Sequence, residues 1–451
     1  MVFSSPIFLF AFLPAVFLLH ACLPTVRTRN ILLAAASVVF YAFGQLNYVP
    51  LFLASVLVNY LAGRLLMGPF PRSRAVLTAA VLLNLGALCF YKYTDFALLT
   101  LGLPPLGVAL PIGISFYTFQ GLSYVIDTYR RPEDGTKDFG KLLLYLAFFP
   151  QLIAGPIVKY GDISAQIDTR VCSPERTEGG IFRFVKGLAK KLLVADALGV
   201  IVDAVFDGGA GDVRLAWLAA VCYTLQIYYD FSGYSDMALG LGAMFGFSLP
   251  ENFRHPYAAS SIRDFWRRWH ISLSSWFKEY LYIPLGGNRE GRARTALNRL
   301  VVFLCTGLWH GANWTFVLWG LGHGLLSSLE DACGLNRLEK SRAGRLLLRI
   351  WALIWVILLF ALFRAESLTA AGRLFAVMFS GSVTAAGTLA LRRLVTSVRL
   401  LTLLLALPLS VIERPVKLSL RAQRALALLL FGLSVLSLAG GGYHPFLYFQ
   451  F

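Results

Sequence analysis

Apolar runs of about membrane-spanning length recur along the whole chain, and they limit its possible folds more than any other feature. An α-helix needs about 20 mostly apolar residues to cross the hydrocarbon core of a bilayer. Some of these runs could be broken or re-entrant, so we predict about eleven to thirteen membrane segments. They lie near residues 6–22, 31–46, 49–67, 76–95, 106–126, 142–158, 181–206, 215–248, 300–329, 347–364, 370–381, 395–412 and 424–440.

The composition agrees with this interpretation. Hydrophobic residues make up 57% of the 451 residues and charged residues 14%, whereas a soluble domain carries about 25% charged residues. This excludes a soluble multidomain protein, a disordered chain and a coiled coil. The apolar runs are long and continuous rather than short and alternating, which excludes a β-barrel. We therefore predict an all-α, polytopic helical membrane protein.

The polar parts of the chain are short. The longest lie near 159–180 and 250–299, and neither is long enough for a soluble domain. We therefore predict a single integral-membrane domain over residues 1–451. The formal net charge is +17, but the basic residues lie mostly between apolar runs or at their ends. This distribution is typical of cytoplasmic loops and indicates no nucleic-acid partner.

The chain offers no pattern for a metal or a bound cofactor. Its six cysteines are scattered without a CxxC pair, so we interpret them as small buried hydrophobic residues. A phosphate-binding GxxxxGK[ST] loop, a GxSxG motif and an HExxH motif are all missing from the sequence. We predict that no metal and no bound cofactor take part.

His310 is the first candidate for catalysis. Residues 300–329 contain no Asp, Glu, Lys or Arg, and one straight helix of that length would be about 45 Å long, too long for the hydrocarbon core without tilt. Gly311 and Asn313 offer a break, which predicts two half-spans that meet near Trp309 and His310. A histidine at membrane depth is a functional candidate and a suitable general base. The alternative is a neutral histidine that hydrogen-bonds between helices.

Residues 250–299 are polar but have helical periodicity. Aromatic side chains recur at three- and four-residue steps, and Arg263, Arg267 and His270 fall on a second, polar stripe. This pattern predicts an amphipathic helix that suits the membrane interface. The alternative is an interfacial anchor without a catalytic role.

Asp230 and Asp236 are the only formal charges in the run 215–248. Acids in an apolar run need partners, and the arginines at 263–268 are the predicted source. We interpret the two acids as a structural acid–base network that supports an active cavity. The Gly- and Pro-broken run 148–156 is suited to a re-entrant or kinked segment that lines a cavity.

Five ordered segments together resemble the membrane-bound O-acyltransferase family, and in particular its bacterial branch, which acts in alginate O-acetylation. The likeness spans nearly the whole chain. The segments are Phe148-Phe-Pro-Gln-Leu-Ile-Ala-Gly-Pro156, Tyr229-Asp-Phe-Ser-Gly-Tyr-Ser-Asp-Met237, Arg263-Asp-Phe-Trp-Arg-Arg-Trp-His270, Tyr282-Ile-Pro-Leu-Gly-Gly-Asn288 and Gly307-Leu-Trp-His-Gly311.

The resemblance implies a family core at about 106–364, between N-terminal helices (1–105) and C-terminal helices (365–451), around an intramembrane catalytic tunnel. His310 matches the family's catalytic histidine, and His270 matches its second motif position. The resemblance also implies acetyl-CoA as a cytoplasmic co-substrate. The supporting residues expected around the tunnel are Asp230, Asp236, Arg263, Arg267, Trp309 and Asn313.

The chain ends in an aromatic segment, 443–451. A similar ending with a tyrosine occurs in relatives, which implies that the Tyr448 hydroxyl could carry the acyl group across the membrane. The alternative is an interfacial aromatic anchor.

The expected function is transfer of an acetyl group across the cell inner membrane for O-acetylation of an extracytoplasmic polysaccharide such as alginate. The chain has no soluble domain to hold a polymer, so a periplasmic or membrane-anchored acetyltransferase partner is expected to complete the reaction. Alternatives of the same class are peptidoglycan O-acetylation and D-alanyl transfer to teichoic acid, which needs an acyl carrier protein. Alternatives of another class are a polysaccharide transporter or flippase and a structural scaffold of a secretion complex.

Overall fold

The computed structural model describes residues 1–68, 71–209, 211–413, 418–441 and 445–447. In these residues the secondary structure is helical without β-strands, so the all-α prediction is confirmed. The chain divides into two compact units, Met1–Gly187 with Tyr234–Glu251 and Leu188–Gly233 with Asn252–Phe451. The single-domain organisation over 1–451 stays a prediction.

In its described residues, the first unit contains eight complete α-helices, most of a ninth and the last part of a long helix that begins in the second unit. Close helix contacts hold it together: a Cβ on Gly63 would lie 2.5 Å from the Tyr124 hydroxyl, and the amides of Asn59 and Asn84 bond each other. Small residues and paired amides are typical of helix packing in membranes. The helices are α1 (Leu13–Cys22), α2 (Val26–Gln45), α3 (Val49–Met67), α4 (Arg74–Thr100), α5 (Ile114–Arg130), α6 (Phe139–Ala147), α7 (Phe149–Leu152), α8 (Tyr160–Thr169) and α9 (Pro174–Ala189).

The predicted break in the run 148–156 is confirmed. α6 ends at Ala147, α7 spans only Phe149–Leu152, and the backbone then leaves the helical conformation. Gly155 has a φ of 107°, which only glycine adopts readily. The segment is buried within the first unit.

The second unit carries the candidate site. A π-helical turn, Lys190–Ala195, leads into its first complete helix, and α11 extends from this unit into the first. The helices are α10 (Asp196–Phe206), α11 (Val213–Met244), α12 (Ile262–Arg268), α13 (Ile271–Phe277), α14 (Gly291–His310), α15 (Trp314–Ala332), α16 (Arg342–Arg364), α17 (Leu368–Ser380), α18 (Ala385–Leu394), α19 (Ser397–Val411) and α20 (Leu420–Ala439).

Among the described residues, four helical stretches are long and apolar enough to cross a bilayer. α17 and α18 pass the same test as a pair that is bent by 106°. These helices confirm a polytopic helical membrane protein, and the count of eleven to thirteen segments stays a prediction. The four stretches are Val26–Met67, which includes both α2 and α3, Arg74–Thr100, Arg342–Arg364 and Leu420–Ala439.

Candidate active site

α14 and α15 form an antiparallel hairpin whose tip carries His310. α14 ends at His310, and α15 begins at Trp314 with Asn313 as its N-cap. The two helices pack closely because their contacts are glycines: a Cβ on Gly320 would lie 2.2 Å from the Phe303 carbonyl oxygen. The predicted break near His310 is therefore confirmed, and the position of the two helices as half-spans in the membrane stays a prediction.

Trp309 and Asn313 have distinct places at this tip. The Asn313 side chain accepts from the Thr315 N–H and donates to the Glu366 carbonyl oxygen at 2.8 Å. Asn313 therefore caps α15 and ties the tip to the residues after α16. The Trp309 ring lies beside both histidines, with its centroid 5.0 Å from that of His310 and 5.6 Å from that of His270.

His270 lies at a break between α12 and α13, and this corrects the prediction of one amphipathic helix through the segment. Its backbone is left-handed, with a φ of 43°. Such a conformation costs about 1–3 kcal/mol for a non-glycine residue and is found most often at functional sites. The break turns His270 away from the polar stripe and into the core, where the residue is fully buried.

The break brings His270 close to His310. Their ring centroids are 6.5 Å apart, and His310 is only 6% exposed. The His310 ring also contacts Trp319 at 5.0 Å and Phe363 at 5.3 Å. The two histidines therefore share an aromatic, largely water-free environment.

Asn252 defines the tautomer of His270. Its Oδ1 atom accepts from the backbone N–H and the hydroxyl of Ser272, so this atom is the amide oxygen. The same oxygen lies 3.2 Å from His270 Nδ1. Because a carbonyl oxygen only accepts, Nδ1 carries the proton and Nε2 of the neutral ring is an acceptor.

A cavity of about 240 Å³ lies along α14 in the second unit. Its wall follows α14 from Arg299 to Thr306. Thr306 precedes His310 by about one helical turn, or about 6 Å along the helix axis. At the Arg299 end, Asp331 binds the guanidinium groups of both Arg263 and Arg299. The lining residues are Arg263, Trp266, Arg267, Leu273, Ser274, Phe277, Lys278, Tyr282, Arg299, Val302, Phe303, Thr306 and Ser327. The cavity thus has a basic end, and its lining stops short of both His270 and His310.

The predicted partners of Asp230 and Asp236 are wrong. Asp230 pairs with Lys191 at 2.7 Å, and Asp236 pairs with Arg183 at 3.0 Å. Arg263 and Arg268 pair with other acids within their own unit, Asp331 and Asp264 respectively. The pairing partner of a buried acid depends on which helices are in contact, and hydropathy along the chain does not predict those contacts.

Several residues of the site were not predicted from the sequence. Nothing in the sequence distinguishes Lys191, which is buried, from the other basic residues. Asn252, Lys278 and Arg299 belong to polar stretches without a recognisable motif, so only their positions in space identify them. Tyr448, the predicted acyl carrier, lies outside the described residues.

Comparison with known proteins identifies the family. The sequence model of the membrane-bound O-acyltransferase family matches residues 128–368. The chain is 39% identical to the probable alginate O-acetylase AlgI of Azotobacter vinelandii and 40% identical to that of Pseudomonas putida, with full coverage of both chains in each case. It is also 38% identical to the peptidoglycan O-acetyltransferase of Helicobacter pylori, over 74% of this chain and 71% of that one.

The matched region contains His270, His310 and the cavity beside them. The fold, the buried histidine pair and the family match agree with one another. The chain belongs to the membrane-bound O-acyltransferase family and is a membrane-embedded acyltransferase.

Proposed function

We propose that this chain is an O-acetyltransferase of the cell inner membrane, which passes acetyl groups from cytoplasmic acetyl-CoA toward an extracytoplasmic polysaccharide such as alginate. The observation that carries the proposal is the buried pair formed by His310 at the hairpin tip and His270 at the break between α12 and α13. Support for an acetyl group and for alginate comes from the names of the relatives with full-length similarity.

In the proposed reaction, His310 is the general base. Its neutral imidazole takes the proton from an acceptor hydroxyl while the hydroxyl oxygen attacks the acetyl carbonyl carbon. The new C–O bond forms as the C–S bond breaks, and the proton passes from His310 to the leaving thiolate. The aromatic rings of Trp319 and Phe363 keep water away, which limits hydrolysis of the thioester.

His270 orients the acceptor in this mechanism. Its Nδ1 proton is bound to Asn252, so its Nε2 atom can only accept a hydrogen bond. The one proton of the attacking hydroxyl goes to His310, so Nε2 of His270 accepts from another donor group of the same acceptor molecule. The two rings lie 6.5 Å apart, centre to centre, which is close enough for both histidines to bind one acceptor.

The cavity along α14 supports a donor that carries phosphate groups. Arg267 and Lys278 are exposed residues of its lining, and guanidinium and ammonium groups bind phosphates well. A thioester at the end of a long pantetheine arm would then lie near Thr306 and His310. The basic segments at 289–299 and 337–349 favour a cytoplasmic position for the basic end of the cavity.

The last step is assigned to a partner. We propose that a periplasmic or membrane-anchored acetyltransferase receives the acetyl group and modifies the polymer. Tyr448 is the candidate carrier on this chain, and an interfacial anchor is the alternative role. An acyl carrier protein would replace CoA only if the enzyme were of the D-alanyl type.

The test uses sealed inverted vesicles with acetyl-labelled CoA added at the cytoplasmic face. We expect label in the lumen with the wild type and a loss of at least about 100-fold in His310→Ala. His323→Ala is the matched control, because His323 is equally buried on the same hairpin. A His310→Ala variant with full transfer would contradict the proposal. If the enzyme consumed an acetylated acyl carrier protein but not acetyl-CoA, the donor would be the carrier protein and not CoA.

A further inference from the structure

A buried triad of charged residues lies in the second unit and takes no part in the reaction proposed above. The ammonium nitrogen of Lys191 is 2.8 Å from Asp196 Oδ1 and 2.7 Å from Asp230 Oδ1. All three side chains are at most 7% exposed. Buried ions lose their hydration, and their attraction compensates for this only when the remaining donors and acceptors are also satisfied.

A local distortion of the helix creates half of this triad. Residues Lys190–Ala195 form a π-helical turn, in which the Asp196 N–H donates to the Lys191 carbonyl oxygen. This i→i+5 bond brings the two side chains together, and such turns are frequent at functional sites. Asp230 reaches the same lysine from α11.

The C-terminal segment Pro445–Leu447 contacts two members of the triad, Lys191 and Asp230. Lys191 Nζ donates to the Pro445 carbonyl oxygen at 3.3 Å and lies 4.8 Å from the centre of the Phe446 ring. The Leu447 N–H donates to Asp230 Oδ2 at 3.0 Å. A lysine has three N–H donors, and their acceptors here are two carboxylates and this one carbonyl.

We infer that Lys191 and Asp230 are positioning residues that anchor Pro445–Leu447 in the core around the catalytic histidines. Leu447 belongs to the same buried cluster as Trp319, whose ring contacts His310. These contacts alone support the anchoring of Pro445–Leu447 by Lys191 and Asp230, and only the effect of this anchor on acyl transfer rests on the proposed function. The described C-terminal segment is thus a fixed part of the second unit.

The anchor is tested by the accessibility of Leu447. In the full-length chain with its six native cysteines replaced by alanine, Leu447→Cys is labelled with a membrane-permeant maleimide. Asp230→Leu removes both acceptor oxygens at similar volume, and we expect labelling to be at least about tenfold faster. Asp203→Asn is the control, because that carboxylate binds Arg364 instead. Equal labelling rates in the Asp230→Leu and Asp203→Asn variants would overturn the anchor.

A second pair of variants leaves both charged residues intact. Leu447→Pro removes the N–H that Asp230 accepts, whereas Leu447→Ala keeps it and shortens only the side chain. We expect the kcat of acetyl transfer to be about tenfold lower in Leu447→Pro than in Leu447→Ala, with the same KM for acetyl-CoA. Equal kcat values would overturn the positioning role. His310→Ala leaves the labelling rate unchanged, so failure of the proposed function is distinguishable from failure of the anchor.

Discussion

The imidazole rings of His270 and His310 lie 6.5 Å apart, centre to centre, although one ends a long helix and the other occupies a left-handed break between two short ones. Each of these backbone irregularities is needed for the pair. α14 ends at His310 with Gly311 as its C-cap, which puts His310 at a hairpin tip. The positive φ of His270 turns its ring inward. The approach of these two histidines therefore depends on the backbone as much as on the side chains.

The first prediction concerns the amide that holds His270. Asn252→Ala removes the acceptor for the Nδ1 proton, so the ring can adopt the other tautomer or rotate. We expect kcat for acetyl transfer to fall about 10- to 100-fold, which corresponds to a lost buried hydrogen bond of about 1–3 kcal/mol. Ser272→Ala, which removes a different donor to the same amide oxygen, is expected to retain most activity. Steady-state kinetics of the purified variants measure kcat. Equal kcat values for Asn252→Ala and Ser272→Ala would exclude a role for Asn252 in orienting His270.

The second prediction concerns the basic end of the cavity. Arg267→Ala and Lys278→Ala each remove one exposed cation from its lining. We expect each to raise the KM for acetyl-CoA about fivefold with little effect on kcat, because an exposed charge contact contributes up to about 1 kcal/mol. The difference is expected to shrink as salt is added.

Arg292→Ala is the control for this effect, because Arg292 is an exposed arginine at the start of α14 that is not among the lining residues. A KM that is unchanged in both cavity variants, or raised as much in Arg292→Ala, would argue against a phosphate-bearing donor at this end.

The third prediction tests the close packing of the hairpin. A Cβ on Gly320 meets the Phe303 carbonyl oxygen, which is backbone and cannot easily move. We expect Gly320→Ala to lower the free energy of unfolding by about 1–3 kcal/mol, as overpacking does, and to reduce transfer. In Gly432→Ala, whose Cβ meets nothing within 4 Å, the gain in helix propensity predicts a stabilisation of about 0.5–1 kcal/mol. Thermal unfolding in detergent measures both, and a Gly320→Ala variant as stable as the wild type would show that the hairpin can separate without cost.

The fourth prediction is a dependence of stability on pH, caused by a carboxylate between two predicted spans. The Arg214 guanidinium and the Thr384 N–H hold the pKa of Asp212 well below its usual range. A lowered pKa contributes stability that is present above the unfolded value of about 3.9 and is lost as the pH falls below it. We therefore expect the Tm of the wild type to fall more steeply than the Tm of Asp212→Asn as the pH is lowered from about 5 to about 3. This range includes the unfolded pKa of about 3.9.

Asp207→Asn serves as the reference for this measurement, because that carboxylate is half exposed. The same slope in Asp212→Asn as in the wild type would remove Asp212 as the cause.

The helical class and the break at His310 follow from the sequence alone. The apolar runs are too long and too continuous for any other class of fold, and a run of 300–329 without charges exceeds the thickness of a bilayer unless it is interrupted. Glycine and asparagine beside His310 supply the interruption. These are local properties, so a sequence carries them directly.

Only the tertiary structure decides which side chains meet. Helical periodicity places His270 on a polar stripe, whereas a left-handed residue turns it into the core beside His310. Hydropathy indicates that Asp230 needs a cation, but the cation is Lys191 in a distorted helical turn and not an arginine of the segment 263–268. Periodicity and hydropathy report only on neighbours along the chain. Contacts between distant residues depend on how the helices pack, and packing is a property of the whole fold.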